Sequence, residues 1–350
     1  MLTSCKREAS AADPPEVKHG RELYGRMCSV CHGDKGEGYK ADQAPRLAQP
    51  EFLGSASDAF LRAAIRDGRR GTTMSAWAQS HGGPLTDKDI EDVVRFLRTW
   101  QKGTRVKLDE SPLTGDVSRG TQLFTQRCEL CHGKQGVAGL NVRIGAADFL
   151  ATASDGFLRH AIKRGRPGTP MKGFESSLGK QGVDDVIAAL RSFATPPPVA
   201  APEPPKPPPP MPLGPVPMNP KGPEPHGFKL YPAMTGADVI KAEYDRKSRF
   251  AILDARAPSD YLNEHIAGAV SVPFYDPAPY LDKLPRDAWL VCYCACPHAE
   301  SGQLAQRLLD AGFKKVTVLN EGLLYWKSKN YPLGRGEAKP AGDPPKAPSP

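Results

Sequence analysis

The sequence has no apolar run approaching the ~20 residues that cross a bilayer as a helix. Any tie to a membrane therefore rests on a lipid or on a partner. It has no dense Lys/Arg arm and no stretch in which basic and aromatic residues interleave, which argues against nucleic acid as a partner. Its eight cysteines do not fall into a disulfide framework. What is abundant is proline, 37 residues in a chain of 350, with many crowded into one block. That length accommodates two or three domains. The formal charge of +8 is a modest excess that steers acidic partners, anionic substrates or anionic lipid surfaces.

Four of the cysteines stand in a repeated motif. Cys28-Ser29-Val30-Cys31-His32 recurs 100 residues later as Cys128-Glu129-Leu130-Cys131-His132. Two cysteines two residues apart, followed at once by histidine, are the sequence form of covalent c-type haem attachment. Each thiol adds to one porphyrin vinyl group, and the histidine on the same turn offers a ring nitrogen to the iron. The other readings of Cys-x-x-Cys fit less well. A closed zinc site needs two further ligands per copy, and neither half supplies another cysteine pair or a His-x3-His. A thioredoxin-like dithiol sits in a βαβ pattern and needs no following histidine, whereas these flanks read as helix. The chain is therefore expected to carry two covalently bound haems.

A helix reads through His19–Met27 into the first motif, with Leu23, Met27 and Val30 on one face. A Gly-rich loop follows, then a helix capped near Ser57 or Asp58 that buries Phe60, Leu61, Ala64 and Ile65. Gly71-Thr72-Thr73-Met74 is an irregular loop. A last helix follows Thr86 and carries Ile90, Val93, Val94 and Leu97. The second unit repeats this order. Gly20 and Tyr24 map to Gly120 and Phe124, Phe60-Leu61-Arg62 to Phe157-Leu158-Arg159, and the methionine loop to Gly168-Thr169-Pro170-Met171. Val186, Ile187, Leu190 and Phe193 mark the final helix. Both units resemble the small monohaem class I cytochrome c domain, end to end. The resemblance implies a few short helices around one haem, with a loop methionine closing the far side of the iron. Met74 and Met171 occupy that place. His81 and His160 are rival ligands, but neither has a counterpart in the other unit. A His/Met pair raises the potential of the iron and suits electron carriage.

Leu2-Thr3-Ser4-Cys5 resembles a bacterial lipobox, which implies an upstream leader and a lipid anchor at Cys5; a chance match around an exposed cysteine is the alternative. Residues 1–15 read as a tail, 16–103 and 114–195 as the two haem units, and 196–227 as a proline-rich, polyproline II-like spacer.

From 228 the pattern becomes α/β. Thr235-Gly236-Ala237-Asp238 looks like a capping box before a helix. Strands read at Phe250–Leu253, Val270–Pro273, Trp289–Tyr293 and Val316–Leu319, with a helix at about Ser301–Ala311. Leu253-Asp254-Ala255-Arg256, Glu264-His265-Ile266-Ala267-Gly268-Ala269, a strand running into cysteine, and Glu321-Gly322 followed by Trp326 together resemble a rhodanese domain over residues 228–335. Residues 336–350 read as a disordered tail. In that family the cysteine after the strand carries sulfane sulfur as a persulfide, and Cys294 stands there. Loop N–H groups and the helix N-terminus favour a thiolate at such a place. The loop Cys294-Ala295-Cys296-Pro297-His298-Ala299-Glu300-Ser301 lacks the family's usual Gly and closing Arg and adds a second cysteine, which argues against thiosulfate as the donor. Cys296 is expected either to take sulfur from Cys294, to resolve it as a disulfide, or to be a bystander. Cys292 reads as a core residue, and His298 as exposed rather than orienting a substrate. Glu300 opposes a thiolate at Cys294 unless it points to solvent.

The fold class expected is thus two all-α cytochrome c domains followed by an α/β rhodanese-like domain with a mainly parallel sheet. The function expected is extracytoplasmic, periplasmic electron transfer between respiratory donor and acceptor proteins, coupled to a sulfane-sulfur compound. The alternatives are a silent docking or sulfur-binding module and an independent sulfurtransferase.

Overall fold

The computed structural model describes residues 13–39, 41, 44–137, 141–194, 218–295 and 298–336. The lipobox at Cys5, most of the proline-rich spacer, the C-terminal tail and Cys296 lie outside the described residues.

The first unit contains α1 (Pro15–Met27), α2 (Ser29–His32), α3 (Pro50–Ser55), α4 (Asp58–Asp67) and α5 (Asp87–Arg98). Their ends are set by side chains that satisfy the first backbone N–H groups. Ser57 Oγ accepts from Phe60 N at 3.0 Å. Thr86 and Asp89 form a reciprocal capping box at α5. The expected stripe Ile90, Val93, Val94 and Leu97 is buried, and it meets α1 at a glycine. A Cβ on Gly20 would lie 1.9 Å from the Asp92 carbonyl oxygen, so only glycine lets the two backbones touch.

The second unit repeats the plan with α6 (Val117–Arg127), α7 (Glu129–His132), α8 (Ala147–Thr152), α9 (Asp155–Arg164) and α10 (Glu175–Phe193). Gly120 plays the part of Gly20, 1.8 Å from the Asp185 carbonyl on the same test. The short helices α3 and α8 were not anticipated, and α10 starts well before the residues that marked it, kinking at Gly179 (φ 62°).

The two units face each other through equivalent surfaces, with reciprocal contacts. Phe60 and Phe157 are mutual counterparts and their rings lie 5.0 Å apart. Phe52 meets Phe157 and Phe60 meets Phe149 edge-on. The Arg69 guanidinium covers Phe60 and Phe149, and Arg166 covers Phe157 and Phe52.

The C-terminal domain runs α11 (Ala237–Asp245), β1 (Phe250–Asp254), α12 (Pro258–Asn263), β2 (His265–Ile266), β3 (Val270–Ser271), β4 (Trp289–Tyr293), α13 (Ala299–Asp310), β5 (Val316–Val318), α14 (Gly322–Ser328) and β6 (Leu333–Gly334). Strands β3-β1-β4-β5 form a wholly parallel sheet, with Leu253 beside Val270 on one side and Cys292 on the other. β1 is buried along its whole length, as a central parallel strand should be. β2 and β6 make a small antiparallel pair.

The α/β reading with a mainly parallel sheet is therefore borne out, with two local corrections. Thr235 does not cap α11. It is buried, and its hydroxyl accepts from Lys229 N and pairs with Thr317 Oγ1 at 2.7 Å. Gly236 holds the cap position, and Glu321 Oε2 accepts from Ala237 N at 2.7 Å. Helix α13 begins at Ala299 rather than near Ser301, preceded by His298 in the left-handed region (φ 77°).

Candidate functional site

In both units the Cys-x-x-Cys-His segment is a single helical turn continuing the preceding helix, so the two thiols and the imidazole leave one short stretch of backbone. Gly33 and Gly133 end the turns at positive φ. His32 Nδ1 lies 2.9 Å from the Pro45 carbonyl oxygen, and His132 Nδ1 3.1 Å from that of Val142. Donation from Nδ1 to a carbonyl fixes the tautomer and leaves Nε2 as the basic nitrogen, as for a metal-ligating imidazole. Burial pushes both imidazoles towards the neutral form.

The methionine loops are built alike. Thr72 Oγ1 donates to the Arg69 carbonyl at 2.7 Å and accepts from Met74 N at 3.1 Å, while Arg69 N donates to the Met74 carbonyl at 2.9 Å. Thr169, Arg166 and Met171 repeat the three bonds at 2.7, 3.2 and 2.8 Å. The rival histidines are engaged elsewhere: His81 Nε2 with Asp67 Oδ1 at 2.9 Å, His160 Nε2 with Glu51 Oε2 at 2.8 Å. Among the described residues no group of three or more His, Cys, Asp or Glu is arranged to hold a metal ion.

Between the units lie arginines short of anions. Burial pushes the Arg166 guanidinium down to about 10 and lowers that of Arg69. Arg143 donates to the Gly71 carbonyl at 2.7 Å, yet its Nε is buried and has no hydrogen-bond partner. A buried unpaired donor is costly, and this cluster has the chemistry to receive carboxylates from a bound group.

In the C-terminal domain Cys294 follows β4 and is 1% exposed. Its Sγ lies 3.3 Å from Ser301 Oγ on the first turn of α13. Cys292 is fully buried and its thiol is pushed well up by burial, the state of a core residue. Glu300 does not point to solvent. It is buried, and burial first, then the charge of Cys294, hold its carboxyl well above the usual carboxylate range. His298 is not simply exposed either: it is half-buried, and its Nδ1 is shut off from solvent without a hydrogen-bond partner. Asp254 accepts from Arg256 Nε at 2.9 Å and from Tyr293 O–H at 2.5 Å, which locks the Asp-Ala-Arg turn under the site.

The first unit sits over this end of the sheet. Ser75, next to Met74, donates to Asp260 Oδ2 at 2.5 Å, and Ser259 Oγ donates to the Ala76 carbonyl at 2.7 Å. The Trp77 and Tyr275 rings lie 5.7 Å apart. Helix α2 packs against α13. Ser259 and Asp260 follow β1, Tyr275 follows β3 and Cys294 follows β4, so the contact covers the carboxyl ends of parallel strands, where such sheets place their sites. None of Ser75, Trp77, Asp260, Tyr275 or Ser301 was singled out from sequence. Trp77, three residues past Met74 and replaced by Phe174 in the second copy, was the available signal.

Residues 237–329 match the family model described as rhodanese-like domain, and residues 15–97 and 115–188 match that described as cytochrome C oxidase, cbb3-type, subunit III. The thiosulfate sulfurtransferase GlpE of Coxiella burnetii is 33% identical over 87 residues, 25% of this chain and 79% of that one. The Cbb3-type cytochrome c oxidase subunit CcoP of an Azospirillum species is 26% identical over 167 residues, 43% of this chain and 53% of that one. The crystal structure of the Alr3790 protein from Anabaena is 30% identical over 29% of this chain and 92% of its own, with a TM-score of 0.28. The chain spans about half the length of several of the curated relatives it matches. No helix among the described residues is long and apolar enough to cross a membrane.

Proposed function

The chain belongs, through residues 237–329, to the rhodanese-like family, and on that footing we propose that it is an extracytoplasmic electron-transfer protein whose two c-type haems serve a sulfane-sulfur site. Cys28 and Cys31 hold one haem and Cys128 and Cys131 the other, with His32/Met74 and His132/Met171 as the iron ligands. The carbonyl-oriented imidazoles, the matched methionine loops and the arginines between the units fit such a group, and the buried Arg143 Nε would be available to a carboxylate that it carries. When bound, the haems supply one-electron redox chemistry.

The role of the chain's own residues at the sulfur site follows from the thiol. The Cys294 thiolate attacks the outer sulfur of a persulfide or polysulfide. The new S–S bond forms as the old one breaks, and the donor leaves as a thiolate or a shorter polysulfide anion, a step with no net oxidation; two such released anions joining through a new S–S bond would give up two electrons, one for each haem. Ser301 donates to the sulfur anion. Cys296 is the second thiol, placed two residues on to receive or resolve that sulfur.

The observation that carries the coupled reading is the seating of the Met74 loop on the sulfur domain. An independent sulfurtransferase has no need of that contact. The test is anaerobic stopped-flow spectroscopy of the ferric protein with polysulfide, alongside a cyanide-dependent sulfur-transfer assay. Haem reduction that disappears in Cys294→Ser supports coupling. Sulfur transfer without haem reduction favours an independent sulfurtransferase, and neither activity favours the silent module.

A further inference from the structure

The two helical units are copies, yet one face of each has met a different fate. In the first, α2 is packed by α13, Val30 is partly buried against the core, and His32 is 7% exposed. Ser75 and Trp77 are buried under the sulfur domain. In the second, the residue standing for Val30 is Leu130, and it is 97% exposed. Ser75 is replaced by Lys172, which is exposed, and Trp77 by Phe174, which is half-buried. The same surface is closed over by a protein domain in one copy and open in the other.

We infer that this open face of the second unit is the docking surface for a separate electron-transfer protein with an acidic rim, the first unit's copy being reserved for the sulfur domain. The inference rests on the reading that the second unit carries a haem. Its exposed apolar side chains are Leu130 and, on the loop whose carbonyl lies 3.1 Å from His132 Nδ1, Val142, which is 39% exposed. An exposed apolar centre rimmed by charge is the anatomy of a transient interface. The rim is basic on balance. Arg127 and Lys134 flank Leu130 in sequence, Lys163 and Arg164 end α9, and Lys172 follows Met171, against Glu129 and Glu175. The covered copy shows which chemistry meets this face: the group opposite position 75 is a carboxylate, Asp260. Lysine at the equivalent position 172 suits a carboxylate brought by another molecule. Opposite charges around such a patch speed encounter and make binding salt-dependent.

The test is heteronuclear NMR of the labelled holoprotein titrated with an acidic flavodoxin as probe. Shifts are expected at 129–134, 142 and 171–174, and not at 29–32 or 75–77. Leu130→Glu and Lys172→Glu should each weaken binding at least tenfold. Raising ionic strength from about 0.01 to about 1 M, which shortens the screening length from about 30 to about 3 Å, should abolish it. Both side chains are exposed, so the haem spectrum should not change. Binding mapped to the first unit, binding indifferent to both variants, or no binding at low salt overturns the inference. So does a Leu130-dependent dimer in sedimentation, which would make the occupant a second copy. Deletion of residues 195–217 that moves the Leu130 amide without any probe would make it the spacer. Haem counting by pyridine haemochrome is a separate readout: a second unit without haem sinks the underlying reading whatever the titration shows.

Discussion

Removing the Ser301 hydroxyl should suppress the reactivity of Cys294 without disturbing the fold. Ser301 is 1% exposed on the first turn of α13, and its Oγ lies 3.3 Å from Cys294 Sγ. With the sulfur ionised, the hydroxyl has only one useful role there, as donor. A hydrogen bond to a charged group contributes about 1.5–3 kcal/mol, and about 1.4 kcal/mol is a factor of ten. In Ser301→Ala the ratio of thiolate to thiol should therefore fall about 10- to 100-fold at any pH where the thiol predominates. The assay is the pH–rate profile of iodoacetamide alkylation, in a Cys296→Ser background so that Cys294 is the one thiol left in the loop. Cys292 should not contribute, since it lies inside β4 and burial pushes its thiol well up. The profile should shift to higher pH while its alkaline plateau stays within about twofold, since the thiolate, once formed, is the same nucleophile. An unmoved profile would mean that the hydroxyl does not stabilise the thiolate. A fallen plateau would mean that the loop itself had been disturbed.

Three further outcomes are expected. Glu300 is held neutral by burial, and on ionising at higher pH it places a like charge near Cys294; Glu300→Gln should reach the alkylation plateau at lower pH than the native chain. Met74→Ala and Met171→Ala should each lower the potential of one haem and open that iron to carbon monoxide; a methionine–iron near-infrared band surviving the double substitution would refute both ligand assignments. Asp185 is held down to about 2, against 3.8 for a free side chain, mainly by its hydrogen bonds with Arg119. A depressed carboxyl stabilises the fold above its unfolded value and loses that contribution as pH falls through the folded one. Denaturant unfolding of Asp185→Asn should show lower stability at neutral pH and a flatter dependence between about pH 4 and pH 2.

What was legible in the sequence was what is local. The Cys-x-x-Cys-His turns, the Thr86 cap, the buried stripe of α5 and the five-residue strand at 250 each follow from spacing and residue type within one element. The duplication made Met74 and Met171 visible, because a matched loop at a matched distance is a stronger signal than either methionine alone. The failures are non-local. Thr235 looked like a cap because its sequence neighbours are those of a capping box, but Thr317, 82 residues away, takes the hydroxyl. Glu300 was read as exposed or disruptive because a glutamate in a first helical turn usually faces water. Here it is buried, and the groups that act on it are Asp254, Arg256 and Asp260 at and after the end of β1, Tyr275 after β3 and Cys294 after β4. Helices α3 and α8 are six residues each, too short to show a period.

The duplication also hid something, since two copies alike in sequence invite the assumption that they are used alike. The spacer makes the asymmetry affordable on physical grounds. Between Ala194 and Met218 the chain reaches about 80 Å when extended, enough to leave the second unit and bring the sulfur domain back over the first. A tethered domain meets its site by an intramolecular step, without the full cost of association from solution. Two serine hydrogen bonds, one aromatic pair and one helix contact are then a sufficient interface at the first unit. A partner arriving from solution has no tether. It needs an apolar centre to hold and a charged rim to find, and the second unit differs from the first at those positions: leucine at 130 where the first copy has valine, and lysine at 172 where the first has serine.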